Sequence, residues 1–526
     1  MPAFRPLLLA IACLAMAPIA QAQHLRIAMK AAVDSADPHL TFTPNRNVQL
    51  HVFETLLTQD ATLRAQPGLA ESWRAVDPLT WEFRLREGVF FHDGSPLTAD
   101  DVAFSIRRAQ AAQGPRTYAS AVRNITGIEV VDQRRLIVRT GVPTPLQPHY
   151  LVAIAILSER AATDAADADF NGGRAAIGTG PYRWIRWTPN QDVLLERSAN
   201  WRGSAEPWAR VTFRFIPNDS ARVAALLAGD ADVIDTVPSG LHERIRAHAQ
   251  TQLVSGDSVF THYFYLDSMS AQIPNATSAD GQPLPQNPLR DRRVRQAMTH
   301  AINRVALAER AMEGGATPAG QVAAAGFSGH DPDLGVPAYD PALSRRLLAE
   351  AGYPQGFNLT IHCTLDRFAG DARTCQSIGQ MLTAIGIRTA IEALPMPVYL
   401  RRSATLTPAG APELSAHLSI FGSSSGLASE GLTSLVRTVN AARAHGGWNR
   451  SRYSHPALDR LLDLADGTFD DAEREAATRR AVRFAVDDQA LLPIFFMRSS
   501  WGLRRSLTLT PRGDQYTMAT ETRLAQ

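Results

Sequence analysis

Gly422-Ser423-Ser424-Ser425-Gly426 has the G-x-S-x-G spacing that presents a serine nucleophile on a tight strand-to-helix turn. The flanks suit it, since Leu418–Phe421 has the composition of a strand and a helix can follow. The rest of that chemistry is missing. An acid and then a histidine must come later, yet the histidines after Ser424 are His445 and His455, with no Asp between Ser424 and either. Glu430 lies on the segment leaving the loop, and a triad is not easily assembled from these groups. His242-Glu243 and His248 miss the i, i+4 histidine spacing of a zinc-protease helix. Cys363 and Cys375 with His362 supply too few ligands for zinc. No G-x-x-x-x-G-K-[ST] phosphate loop occurs, and Lys30, the sole lysine, cannot complete one. A secreted serine hydrolase using Ser424 is therefore the minor reading. No enzyme, no cofactor and no metal site are expected.

The elements that position these residues alternate between two periods. Residues 24–33, Trp81–Leu85, Val193–Arg197, Val211–Ile216 and Val233–Asp235 read as strands. Ile128–Val138 holds two more around Asp132-Gln133. Helices are predicted over Asn47–Leu57, from Thr98 onward with Asp100 and Asp101 in the first turn, and over Asp219–Gly229. Asp291–Arg310 and Asp340–Ala351 are predicted helices as well, the latter stopped by Gly352. Asn358–Cys363, Asp371–Ile385 and Arg388–Ala393 form a βαβ unit. Such alternation defines an α/β chain. Two segments stand apart: Val259–Leu266, rich in aromatic strand formers and followed by a Pro/Ser/Asn/Gly stretch, and the late apolar strand Leu491–Met497.

Composition narrows the class. The chain has 526 residues, 45% hydrophobic and 20% charged, with 53 basic against 51 acidic side chains. That is globular, long enough for two or three domains, and without the basic excess of a nucleic-acid binder. No run of 18 apolar residues exists to span a bilayer. Arg5, the apolar stretch Leu7–Ala20 and the small residues of Ala20-Gln21-Ala22 are a secretory signal peptide, with cleavage expected after Ala22. Cys13 lies in a poor lipoprotein box and leaves with it. Cys363 and Cys375 remain. In an exported protein they are expected to form a disulfide, with two buried thiols as the alternative.

Several motifs resemble one family in order along the mature chain. Gly68-Leu-Ala-Glu-Ser-Trp73, Trp81-Glu-Phe-Arg-Leu-Arg-Glu-Gly88, Phe91-His-Asp-Gly94 and Pro96-Leu-Thr-Ala-Asp-Asp-Val102 are joined by Gly178-Thr-Gly-Pro-Tyr182. Asp291-Arg-Arg-Val-Arg-Gln-Ala297, Leu347-Leu-Ala-Glu-Ala-Gly-Tyr-Pro354 and Tyr453-Ser-His-Pro-Ala-Leu-Asp459 follow. Together they resemble the extracytoplasmic solute-binding proteins of peptide and nickel ABC transporters, family 5. The resemblance implies a two-lobed α/β periplasmic binding protein with hinge strands. Residues 1–22 would be the signal peptide. Residues 23–260 plus 490–526 would form lobe I, with a sub-domain inserted at about 49–169, and 261–489 would form lobe II. Trp81, Phe83 and Phe91 are expected in the core rather than on a ligand.

The implied function is capture of a peptide or peptide-like solute between the lobes and delivery to cognate permease subunits. The ligand would favour the closed form by its differential affinity. A monomer in the periplasm is expected. Dipeptide receptors of the family hold the ligand α-amine with an Asp in the loop after the strand matching Leu418–Phe421. Here Phe421, Ser423, Ser424 and Ser425 come first and the next acid is Glu430, which is either a substitute or a solvated helix start. Arg367 is a candidate clamp for a carboxylate, or a partner of Asp366 or Asp371. Trp448 and Arg450 are candidates for an aromatic wall and a second cation. A nickel or haem receptor on the same scaffold would want histidines near the cleft, and His445 is the nearby one.

Overall fold

The two strand candidates that stood apart are parts of one long antiparallel pair. In the computed structural model, which describes residues 23–525 apart from Phe42, Pro115, Ala205, Asp366, Ala369 and Ser424, Thr251–Leu266 pairs with Leu492–Arg504. The signal peptide, its cleavage site, Cys13 and Ser424 lie outside the described residues. Asp257 faces Arg498 and Thr261 faces Phe496, so Ser258, Val259 and Phe260 stand opposite Met497 alone. This bulge breaks the ladder and turns the strand. Its polar groups are satisfied nearby. Ser258 Oγ donates to the Met497 carbonyl at 2.9 Å, and the Val259 amide donates to the Gly513 carbonyl at 3.1 Å.

These crossing strands carry one sheet through the whole molecule. On one side lie Val233–Ile234, Gln23–Met29, Trp208–Phe215, Asp192–Arg197 and Tyr182–Thr188. On the other lie Ala416–Phe421, Phe357–Thr364 and Ala276–Ser278, with Ile387–Leu394 beside Phe357–Thr364. The expected βαβ unit is present: Phe357–Thr364 and Ile387–Leu394 run parallel, joined by the helix Asp371–Thr383. Buried side chains form separate cores. One gathers Ile27, Phe213 and Trp501, another Phe264, Ile361 and Ile494. A third lies under the four-stranded antiparallel sheet of Ala70–Asp77, Thr80–Leu85, Arg135–Thr140 and Ile125–Asp132. Trp81, Phe83 and Phe91 are buried in it, as expected from sequence. The helix Ala99–Ala111 covers it, and Asp101 accepts the Thr98 amide at 2.9 Å and its hydroxyl at 3.0 Å.

Two predicted helices are corrected. The one expected over Asn47–Leu57 is Thr43–Gln49 and ends early. The carbonyls of His51 and Val52 accept from the Tyr182 and Gly180 amides, at 3.0 and 2.9 Å, instead of from the next turn. Gly180 and Gly178 permit this approach, because a Cβ on Gly178 would lie 2.0 Å from the Val52 oxygen. The helix expected over Asp291–Arg310 is Arg292–Ala301, followed by an interruption at Ile302-Asn303. Asn303 caps a fresh turn, accepting the Ala306 amide at 3.0 Å. Side-chain capping competes with helix continuation there.

Candidate functional site

The parallel strands Phe357–Thr364 and Ala416–Phe421 pair at His362–His417 and then diverge. Tyr399, from the helix Met396–Ala404, fills the fork. Its hydroxyl donates to the Leu418 carbonyl at 2.6 Å, with His417 Nδ1 at 2.7 Å. A phenol has one proton, so His417 must donate in return, which fixes a neutral ring protonated on Nδ1. Burial, then His362 and Arg450, push the His417 pKa down to about 3, consistent with that neutral ring. Such a fork, at the carboxyl ends of parallel strands, is where open α/β sheets bind ligands.

Two recesses open there, on opposite sides of Ala416–Phe421. The polar one, about 260 Å³, is lined by His262, Thr364, Arg367, Asp371, Tyr399 and Ser419 among others. Asp371 begins its helix and accepts from Thr364 Oγ1 at 2.5 Å and the Phe368 amide at 3.1 Å. His262 is stacked on Phe495 at 4.8 Å, with Nε2 3.8 Å from Asp371. Burial, then the Arg367 charge, push its pKa down to about 3. Arg367 lies over Phe368 at 5.3 Å, and no ion pair holds it among the described residues. The Cys363–Cys375 disulfide ties the strand end to the helix across this loop, so the expected pairing is present.

The second recess, about 440 Å³, lies beside the bulge. Val259, Phe327, Phe421, Leu427 and Leu435 supply apolar walls, and Ser423 stands at its edge. Ser423 and Ser425 do not form a loose turn. Both hydroxyls donate to Glu430 Oε2, at 2.7 and 2.5 Å, and lie 2.7 Å from each other. Glu430 lies in the first turn of the helix Ala428–Leu435, where its charge meets the positive end of the dipole. Tyr150 faces it from the sequence-distant Gln147–Leu151 turn; burial, then the Glu430 charge, raise the tyrosine pKa. Trp448 lies 6.5 Å from Phe421, and Arg450 sits 4.8 Å over the Trp448 ring with its Nε buried and unpartnered among the described residues.

The sequence-derived candidates thus fall into three groups. Phe421, Ser423, Ser425 and Glu430 share one loop, Trp448 and Arg450 flank it, and Arg367 lies in the other recess. Sequence reasoning missed Thr261, His262, Tyr263 and Tyr399. The first three sit within Val259–Leu266, where alternation sends Thr261 and Tyr263 toward the apolar recess and His262 toward the polar one. That alternation was readable; Tyr399 carried no such signal.

A sheet shared by two lobes, with recesses beside the crossing strands, defines a two-lobed periplasmic binding protein. Solved structures of that fold superpose throughout. HbpA2 from Haemophilus parasuis matches with TM-score 0.82 at 22% identity, covering 96% of this chain and 100% of that one. The periplasmic binding protein DppA from Helicobacter pylori, in complex with the peptide STSA, matches with TM-score 0.68 at 23% identity, covering 96% and 98%. Residues 64–418 match the model of the bacterial extracellular solute-binding proteins, family 5 Middle, and the chain belongs to that family. A curated relative, the glutathione-binding protein GsiB of Pectobacterium atrosepticum, is 27% identical over 482 residues, 89% of this chain and 88% of that one. Family 5 proteins act as substrate receptors of ABC importers.

Proposed function

We propose that this chain captures a peptide or peptide-like solute between its lobes and delivers it to the permease subunits of an ABC importer. The observation that carries this is the pair of recesses at the carboxyl ends of Phe357–Thr364 and Ala416–Phe421, one with a guanidinium that has no ion pair among the described residues and one apolar. A ligand spanning both has a carboxylate for Arg367 and apolar bulk for the other side. Phe421, Ser423, Ser424, Ser425, Glu430, Trp448 and Arg450 form the rest of the contact set. Lobe I is residues 23–260 plus 490–526, with the sub-domain at about 49–169, and lobe II is 261–489. Closure about the bulge encloses the solute, and the ligand stabilises the closed form by touching both lobes.

The protein works as a periplasmic monomer after cleavage at Ala22, without chemistry on its ligand. The glutathione-binding relative supports a peptide-like cargo.

The test is calorimetric titration of the mature protein, refolded to remove resident ligand, with free and N-acetylated di- to pentapeptides. One-to-one binding, with a melting shift worth about 2.7 kcal/mol at a hundredfold excess over Kd, is expected. Failure of every peptide to bind, free or blocked, removes the peptide from this reading.

A further inference from the structure

We infer that the recess beside the bulge is a side-chain subsite that takes one bulky apolar group of the captured solute, aromatic or branched aliphatic. This rests on the reading of the chain as a peptide-type receptor and adds what that solute must carry.

Two of the hydroxyls that line the recess already have acceptors. Thr261 Oγ1 donates to the Val322 carbonyl at 2.9 Å. Ser423 donates to Glu430 at 2.7 Å. Among the described residues no charged side chain lines the space. A polar occupant would exchange its water for at most a hydroxyl contact, whereas an apolar one loses nothing. The occupant is therefore set by the walls.

The space is kept open by small residues. Ala323, Ala324, Ala428 and Gly431 stand where larger side chains would fill it. Gly431 is the informative one. It lies inside the helix Ala428–Leu435 and has no positive φ, so the backbone does not require glycine. The residue is buried, yet a Cβ built on it meets nothing within 4 Å. A buried helical glycine next to empty space costs helix stability relative to alanine. The same absence of a side chain leaves volume for a ligand.

The recess also adjoins the proposed contact set. Phe421 and Ser423 belong to both, so a ligand bound along the loop presents a substituent to it directly.

The test uses the mature full-length protein, Gly431→Ala and Gly431→Leu, with two kinds of probe. Toluene reports the recess alone, read as shifts of the Ala323, Ala324 and Ala428 methyl signals in an alanine-labelled NMR spectrum. The tripeptides Ala-Phe-Ala and Ala-Gly-Ala report it as part of ligand binding. The expected result is toluene-induced shifts in the parent that vanish in Gly431→Leu. Ala-Phe-Ala should bind roughly tenfold more tightly than Ala-Gly-Ala, the ratio shrinking in Gly431→Ala and approaching one in Gly431→Leu. Toluene shifts without binding of either tripeptide would support the subsite and sink the peptide reading. Unmoved methyl signals, or a Phe/Gly ratio that Gly431→Leu leaves unchanged, would overturn the subsite.

Discussion

Ser423 donates its hydroxyl hydrogen to Glu430 across 2.7 Å, and this bond, with the matching one from Ser425, makes the serine loop a closed turn around a carboxylate. Glu430 is thereby a structural acceptor before any ligand arrives. Glu430→Ala leaves both hydroxyls without that acceptor and should lower the unfolding free energy by about 1–3 kcal/mol in urea titrations. Glu430→Gln, which retains an acceptor oxygen, should lose less. Equal stability of all three proteins would show that the loop does not depend on this acid.

Arg367 has the opposite character, a cation in a polar recess without an ion pair among the described residues. Arg367→Met should change unfolding stability by less than about 0.5 kcal/mol. It should weaken a carboxylate-bearing ligand at least tenfold, about 1.4 kcal/mol, in calorimetric titration. Arg367→Lys should recover part of the loss, because the charge survives and the bidentate fork does not. A large loss of stability in Arg367→Met, with unchanged affinity, would assign the residue to the scaffold.

Acid should destabilise the protein through its buried histidines. Burial first, and then neighbouring charge, push His262 and His417 down to about 3, while burial also pushes His39, His51 and His92 down to about 4. Each folded-state value lies below the unfolded 6.5, so the unfolded chain binds protons first. The stability is complete above pH 6.5 and is lost as the pH falls toward the folded values. His262→Phe keeps the ring against Phe495 and removes one titration. The slope of unfolding free energy between pH 4 and 6 should flatten by about 1.4 kcal/mol per pH unit. An unchanged slope would mean that His262 is protonated in the folded protein.

The Cys363–Cys375 bond closes a loop of sequence separation 12 that carries Arg367. Constraining the unfolded chain over that span is worth about 3 kcal/mol in the loop-entropy model. Reductant, or the double change Cys363→Ala/Cys375→Ala, should lower the urea midpoint accordingly. A midpoint insensitive to reductant in the parent protein would contradict this.

Much of this architecture was legible because its signals are local. Aromatic and apolar strand-forming composition marked the crossing strands at Val259–Leu266 and Leu491–Met497, and the succession of strand, helix and strand marked the βαβ unit around Asp371–Thr383. The failures were non-local. The Asn47–Leu57 stretch has a helical face, but its carbonyls are claimed by Gly180 and Tyr182, more than a hundred positions away. The site was half legible for the same reason. Phe421, Ser423 and Glu430 are neighbours in sequence. Tyr399 reaches the site through a strand fork that exists only once the sheet is assembled.

That one sheet serves both lobes has a thermodynamic consequence. Hydrogen bonds run from Tyr182–Thr188 at one edge to Ala276–Ser278 at the other, and both lobes draw strands from the same crossing pair. Melting either lobe strips ladder partners from the other, so the halves should not denature separately. Calorimetry should record one heat-absorption peak, with its van't Hoff and calorimetric enthalpies in agreement, although a chain of this length would ordinarily show two.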